Sequence, residues 1–237
     1  MPIGVITDCL CVLAGALAGC AAGHLLPEKL RTDLNVLLGF CSIAIGIISI
    51  IKVSAMAPVA VAVLLGYVIG AVLKLEDRLT VLMGGILRRL PIPVSQDFSM
   101  ERYITVMVLF CASGFGIYGT FVEAMSGDSS ILLSKSVLDA VTALIFAITL
   151  RYAVVIVPAF MLVVLLIMSG IGSLIAPIVT PSMLLDFTAC GGILTMAAGL
   201  RVSGIKVMAI TNLIPALILV MPLSWLWDMG TVLLPRI

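Results

Sequence analysis

The sequence predicts an all-α polytopic membrane protein of about eight transmembrane helices, and three observations predict it. The first is composition. The 237 residues are 62% hydrophobic and 11% charged, with a mean hydropathy of +1.33, and a water-soluble domain could not solvate an exterior built from so few polar groups. The second is a succession of apolar segments, each near the roughly 20 residues that a helix needs to cross the hydrocarbon core. The third is that polar residues gather in short connectors, with one longer exception at 74–102.

The segments run 3–25, 34–51, 55–73, 103–122, 131–150, 152–172, 183–200 and 205–227. In the first, Leu17-Ala18-Gly19-Cys20 matches a lipoprotein cleavage box, but no Lys or Arg precedes it, so it reads as an uncleaved helix with small packing residues. Pro58 and Pro158 are expected to kink the third and sixth helices, and Asn212 and Pro215 to interrupt the last. Connector 74–102 begins with apolar residues at helical spacing beside Glu76, Asp77, Arg78, Arg88 and Arg89, which predicts an interfacial amphipathic helix ended by Pro91 and Pro93. It is too short to enclose a core, so the whole of 1–237 reads as a single transmembrane domain.

Ten of the thirteen basic residues fall in the first, third, fifth and seventh loops. The positive-inside rule then puts connector 74–102 in the cytoplasm and both termini outside it. Sliding the chain by 153 positions superposes Gly19 on Gly172, Asp33 on Asp186, Gly39 on Gly192 and Gly46 on Gly199. Helices 1–3 (3–73) would correspond to helices 6–8 (152–227), in inverted orientation. Chance matching of common transmembrane glycines is the competing account.

Several function classes find nothing to work with. Net charge is +1, so no field favours nucleic acid. The six cysteines lack CxxC spacing and read as small apolar packing residues, and His24, the single histidine, reads as a helix-end residue near the headgroups. No metal site, cofactor, nucleotide fingerprint or nucleophile elbow is expected, and no enzyme activity.

The polar residues inside apolar sequence are the candidates for function. Gly127-Asp128-Ser129-Ser130 follows Gly114, Gly116 and Gly119, which are expected to end the fourth helix. A helix starting at Asp128 or Ser129 would be well capped. Lys135 and Asp139 are four apart and share a face, with Ser136 and Thr142 nearby. Two readings stand: a self-neutralising pair, or a polar lining in which Asp139 carries a coupling proton or cation and Lys135 is its counter-charge or an anion contact. Asp8, inside the first segment, is expected near the outer surface and solvated.

Leu109–Gly114, Met125-Ser126-Gly127-Asp128-Ser129-Ser130-Ile131-Leu132, Lys135-Ser136-Val137-Leu138-Asp139, Gly191–Leu194, Gly199–Arg201 with Gly204–Lys206, and Asn212–Leu217 resemble the bacterial inner-membrane family typified by YqgA and YdfK, and look closer to YqgA. The resemblance covers essentially the whole chain. It implies a multi-helix plasma-membrane protein of a family of unknown function, expected to transport, and it adds weight to Gly127, Asp128, Ser130, Lys135, Asp139, Asn212 and Pro215. It supplies no substrate. The expectation is therefore a secondary transporter, or a channel, for an ion or small polar solute. Its site would be Gly127, Asp128, Ser129, Ser130, Lys135, Ser136, Asp139, Asn212 and Pro215. The alternative is a non-transporting membrane sensor or assembly partner. The lipid bilayer is its expected environment, and Gly and Ala faces make homo-oligomerisation an expectation without a subunit number.

Overall fold

Helix follows helix wherever the apolar runs are long enough, because backbone polar groups in lipid must be satisfied within the segment. The computed structural model describes residues 2–22, 27–87, 100–111, 113–206 and 208–233. Its helices are α1 (Ile3–Ala22), α2 (Glu28–Ile50), α3 (Met56–Val72), α4 (Leu75–Leu87), α5 (Met100–Cys111), α6 (Gly114–Ser126), α7 (Ser130–Leu150), α8 (Val157–Ile175), α9 (Pro181–Val202) and α10 (Ile214–Leu233). Short 3-10 turns at Arg151–Ile156 and Ile210–Leu213 lead into α8 and α10. His24, Arg88, Arg89, Pro91 and Pro93 lie outside the described residues.

Among the described residues, five helical stretches are long and apolar enough to cross a membrane, or six if α3 and α4, bent by 54°, form one broken span. The eight expected differ from this in two places. The stretch Ser130–Ile178, where two helices were expected, passes as one apolar helical stretch of 49 residues, but it doubles back, since Ser169 and Ser173 near its end share a pocket with Ser129 at its start. It is interrupted at Arg151, whose φ of 53° leaves the helical region. Segment 103–122 is split instead of continuous: α5 and α6 have 12 and 13 residues, and neither reaches across alone. Gly114 and Gly116 therefore start a helix rather than end one.

The prolines are also corrected. Pro58 is the third residue of α3, Pro158 the second of α8 and Pro215 the second of α10. In a first turn the missing N–H has no intrahelical acceptor to lose, so these prolines begin helices and do not kink them. Among the described residues, Pro222 lies inside a helix, α10.

Close backbone approach organises the bundle. α1 lies parallel to α7, and a Cβ on Gly15 would sit 2.0 Å from the Ala140 carbonyl oxygen. α2 crosses α9 antiparallel, Gly39 against Gly199 and Gly46 against Gly192. Small residues at such crossings replace the hydrophobic drive that lipid removes. Two buried apolar clusters result, one joining α1, α5, α7 and α8 and the other α3, α6, α9 and α10.

Acidic side chains, two of them buried, close three helix starts. Glu123, on α6, accepts from the N–H groups of Gly4 (2.7 Å) and Val5 (3.3 Å) at the start of α1. Asp186, on α9, accepts from Ser54 (2.9 Å) and Ala55 (2.8 Å) just ahead of α3, and from the Ser224 hydroxyl (2.7 Å). Glu76, on α4, accepts from the Thr211 N–H (3.4 Å) ahead of α10. A carboxylate at each start satisfies orphan donors and opposes the positive end of the helix dipole.

Candidate functional site

Gly127 ends α6 in the left-handed region (φ 76°), a conformation that costs a residue without Cβ little. Asp128 then accepts the Ser130 N–H through Oδ1 at 2.9 Å, and this bond holds its exposed carboxyl below the usual carboxylate range. Ser129 does not cap α7 through its side chain. Its hydroxyl donates instead to Glu123 Oε1 at 2.6 Å. The Gly127–Ser130 turn thus ties the start of α7 to the start of α1 through Glu123.

Deeper in α7, Lys135 Nζ donates to Asp8 Oδ2 on α1 at 2.8 Å and to Asp139 Oδ2 one turn onward. The Lys135 and Asp8 side chains are 2% and 0% exposed, and that of Asp139 is 16% exposed. Asp8 Oδ1 is buried with no hydrogen-bond partner among the described residues. The expected solvation of Asp8 is overturned. The parallel seam of Gly15 on Ala140 brings the Asp8 face of α1 onto α7, and the carboxylate is sealed there. Two carboxylates and one ammonium leave a negative charge unmatched, in surroundings where an unmatched charge is costly.

Lys135 and Asp139 do meet, as their spacing predicts, and they close on each other and on Asp8. Ser136 and Thr142 do not join them, since each hydroxyl donates within α7, to Leu133 and Leu138 carbonyls at 2.8 Å. A further neighbour is the break between α5 and α6. Ser113 Oγ caps α6 by accepting the Gly116 N–H at 3.0 Å, and a Cβ on Gly116 would lie 3.2 Å from Lys135 Cε. With α6 about 20 Å long, the break lies that far from the Gly127 turn, beside the triad.

Asn212 belongs to a second cluster, and Pro215 follows it as the second residue of α10. Asn212 Oδ1 accepts the Glu76 N–H at 3.2 Å, and Arg201 Nη1 donates to Glu76 Oε1 at 2.9 Å and to the Met208 carbonyl at 3.1 Å. Among the described residues no hydrogen bond or ion pair links this cluster to Lys135. Asp8, Glu123 and Asp186 escaped the sequence reading of the site. The available signal was that each is a carboxylate within an otherwise apolar stretch.

The family described as "Protein of unknown function (DUF554)" matches residues 3–225. The chain is 38% identical over 230 residues to "Uncharacterized protein YqgA" of Escherichia coli (strain K12), covering 96% of this chain and 98% of that one. It is 26% identical over 224 residues to "Uncharacterized membrane protein YdfK" of Bacillus subtilis (strain 168), covering 91% and 93%. No solved structure matches.

Proposed function

The chain belongs to the DUF554 family, and from that premise we propose that it is a small secondary transporter moving an ion or small polar solute across the bacterial plasma membrane. One observation carries the reading. A buried Asp8–Lys135–Asp139 cluster lies against the break between α5 and α6 in an apolar bundle. Ionisable groups within membrane-spanning segments mark ion and substrate pathways, and discontinuous helices supply their sites. In this reading a proton or monovalent cation matches the unpaired charge of the triad, with Asp8 joining Asp139 as the coupling carboxylates. Lys135 holds them together between ion-binding events. Gly127, Asp128, Ser129 and Ser130 form the mouth on the α1 side, and Asn212 and Pro215 belong to the opposite end.

The chain would cross eight times, with α5 and α6 as one broken crossing and α7 and α8 separated at Arg151. Lys29, Arg31, Lys74, Arg78, Arg151, Arg201 and Lys206 then collect at the end that holds the α1–α2, α3–α4 and α9–α10 connections. Lys52 stands at the other, which favours a cytoplasmic basic end and both termini outside. An inverted repeat draws support from the α2–α9 crossing. The 153-residue offset equates Gly39 with Gly192 and Gly46 with Gly199, so exchanging the halves returns the same two contacts, as a two-fold pair requires. The likeness stops at Asp33, which is exposed where Asp186 is buried.

The closed state of the triad favours a second reading, a non-transporting membrane partner held together by a buried ion cluster. Flux separates the two. In sealed proteoliposomes carrying a pH or sodium gradient, the wild type should move ions and D8N and D139N should not, while both variants still melt cooperatively in detergent, D8N a few degrees below the wild type. Absence of flux in every arm, or flux unchanged in both variants, sinks the transport reading.

A further inference from the structure

At the basic end of the bundle lies a cavity of about 310 Å³ whose lining includes Glu76, Thr80, Ser113, Gly114, Ala198 and Arg201. That volume is at the small end of ligand pockets. The hydrogen-bond accounting inside it is one-sided. Both Glu76 carboxylate oxygens are occupied, Oε1 by Arg201 and Oε2 by the Thr211 N–H. The Thr80 hydroxyl is committed to the Glu76 carbonyl at 2.8 Å. Arg201 spends only Nη1, on Glu76 and on Met208, and its Nη2 and Nε protons have no acceptor among the described residues. The Arg201 side chain is 35% exposed and lines the cavity. Ser113 Oγ is used as an acceptor, which frees its proton to donate, and Gly114 adds a first-turn N–H, which has no intrahelical acceptor.

We infer that this cavity is a binding site for a small monocarboxylate. The spare capacity is nearly all donors, the planar guanidinium fork is matched to a carboxylate, and the volume admits only a few heavy atoms around it. Glu76 does not compete for the same protons, because it is bound to the other edge of Arg201. The inner wall of the cavity is the start of α6, two residues before Gly116 contacts the Lys135 side chain, so a solute here sits one helix wall from the triad. The inference is independent of the coupling role of Asp8 and Asp139: carboxylate binding can hold where flux coupling fails, and the reverse.

The test is melting of the purified full-length protein in detergent with sodium propionate, propionamide or propylammonium chloride, each against sodium chloride at equal ionic strength. A ligand that binds only the folded state raises the melting temperature in proportion to its occupancy. Propionate should raise it by several degrees, and the neutral and cationic isosteres should not. R201Q should weaken the propionate response by about tenfold or more in apparent affinity. Because R201Q also removes the Glu76 pair, A198L provides a second arm, filling the cavity without touching a charge. It should abolish the propionate shift while leaving the unliganded melting temperature near wild type. No shift with propionate, an equal shift with propionamide or sodium chloride, or a shift retained in A198L would each overturn the inference.

Discussion

Lys135 on α7 and Asp8 on α1 are joined by a 2.8 Å hydrogen bond across 127 positions of sequence, and neither side chain reaches solvent. Removing the cation is therefore worse than removing one anion. K135M leaves two buried carboxylates facing each other and is expected to cost about 3–5 kcal/mol, the range for breaking a buried pair. D8N leaves Lys135 paired with Asp139 and should cost about 1–2 kcal/mol. Denaturant titration in detergent micelles gives the order, and equal losses would contradict it.

The cap on α3 offers a cleaner measurement, because Asp186 accepts two backbone N–H bonds and a hydroxyl. D186A should cost about 2–5 kcal/mol, since buried donors left unpaired carry their full desolvation penalty. Protease cleavage near 52–55 should rise in parallel, and a stable, uncleaved variant would remove Asp186 from that role.

Glycines with and without a neighbour should respond with opposite signs. A Cβ on Gly46 would sit 2.7 Å from the Gly192 carbonyl oxygen, whereas one on Gly170 meets nothing within 4 Å. G46V is expected to force α2 off α9 and lower the melting temperature sharply. G170A should be neutral or stabilising by up to about 1 kcal/mol through helix propensity.

Asp128 sets a pH dependence of known sign. Its pKa is lowered in the folded protein, first by the Ser130 backbone N–H, so the folded state releases this proton more readily than the unfolded chain. The contribution is present above the ordinary carboxylate value of about 3.9 and fades as pH falls through the lowered folded value. Melting curves of wild type and D128N should therefore differ at neutral pH and converge in that acid range. A constant gap at all pH values would contradict the assignment.

Position along the chain was largely readable because hydropathy is a local property. The segments at 3–25, 34–51, 55–73 and 131–150 correspond to α1, α2, α3 and α7 to within a few residues at most ends. The Lys135–Asp139 contact was readable for the same reason, since four residues on a helix make one turn. Segment 103–122 misled because flanks equally apolar on both sides hide the extended backbone at Ser113, where α6 starts. The expected kinks at Pro58, Pro158 and Pro215 misled because a proline in the first turn and one in mid-helix look alike until the helix start is known.

What the amino-acid sequence determined by itself is a membrane-embedded helical chain with a charged pair on one face of α7, both consequences of short-range apolarity and helical period. Only the tertiary structure decided that Asp8 completes a triad with that pair, that Asp186 closes α3, and that Arg201 turns spare donors into a cavity beside the α5–α6 break. Each of these joins residues far apart in the chain. Their meeting depends on where glycines let helix backbones approach, and no local pattern encodes that crossing.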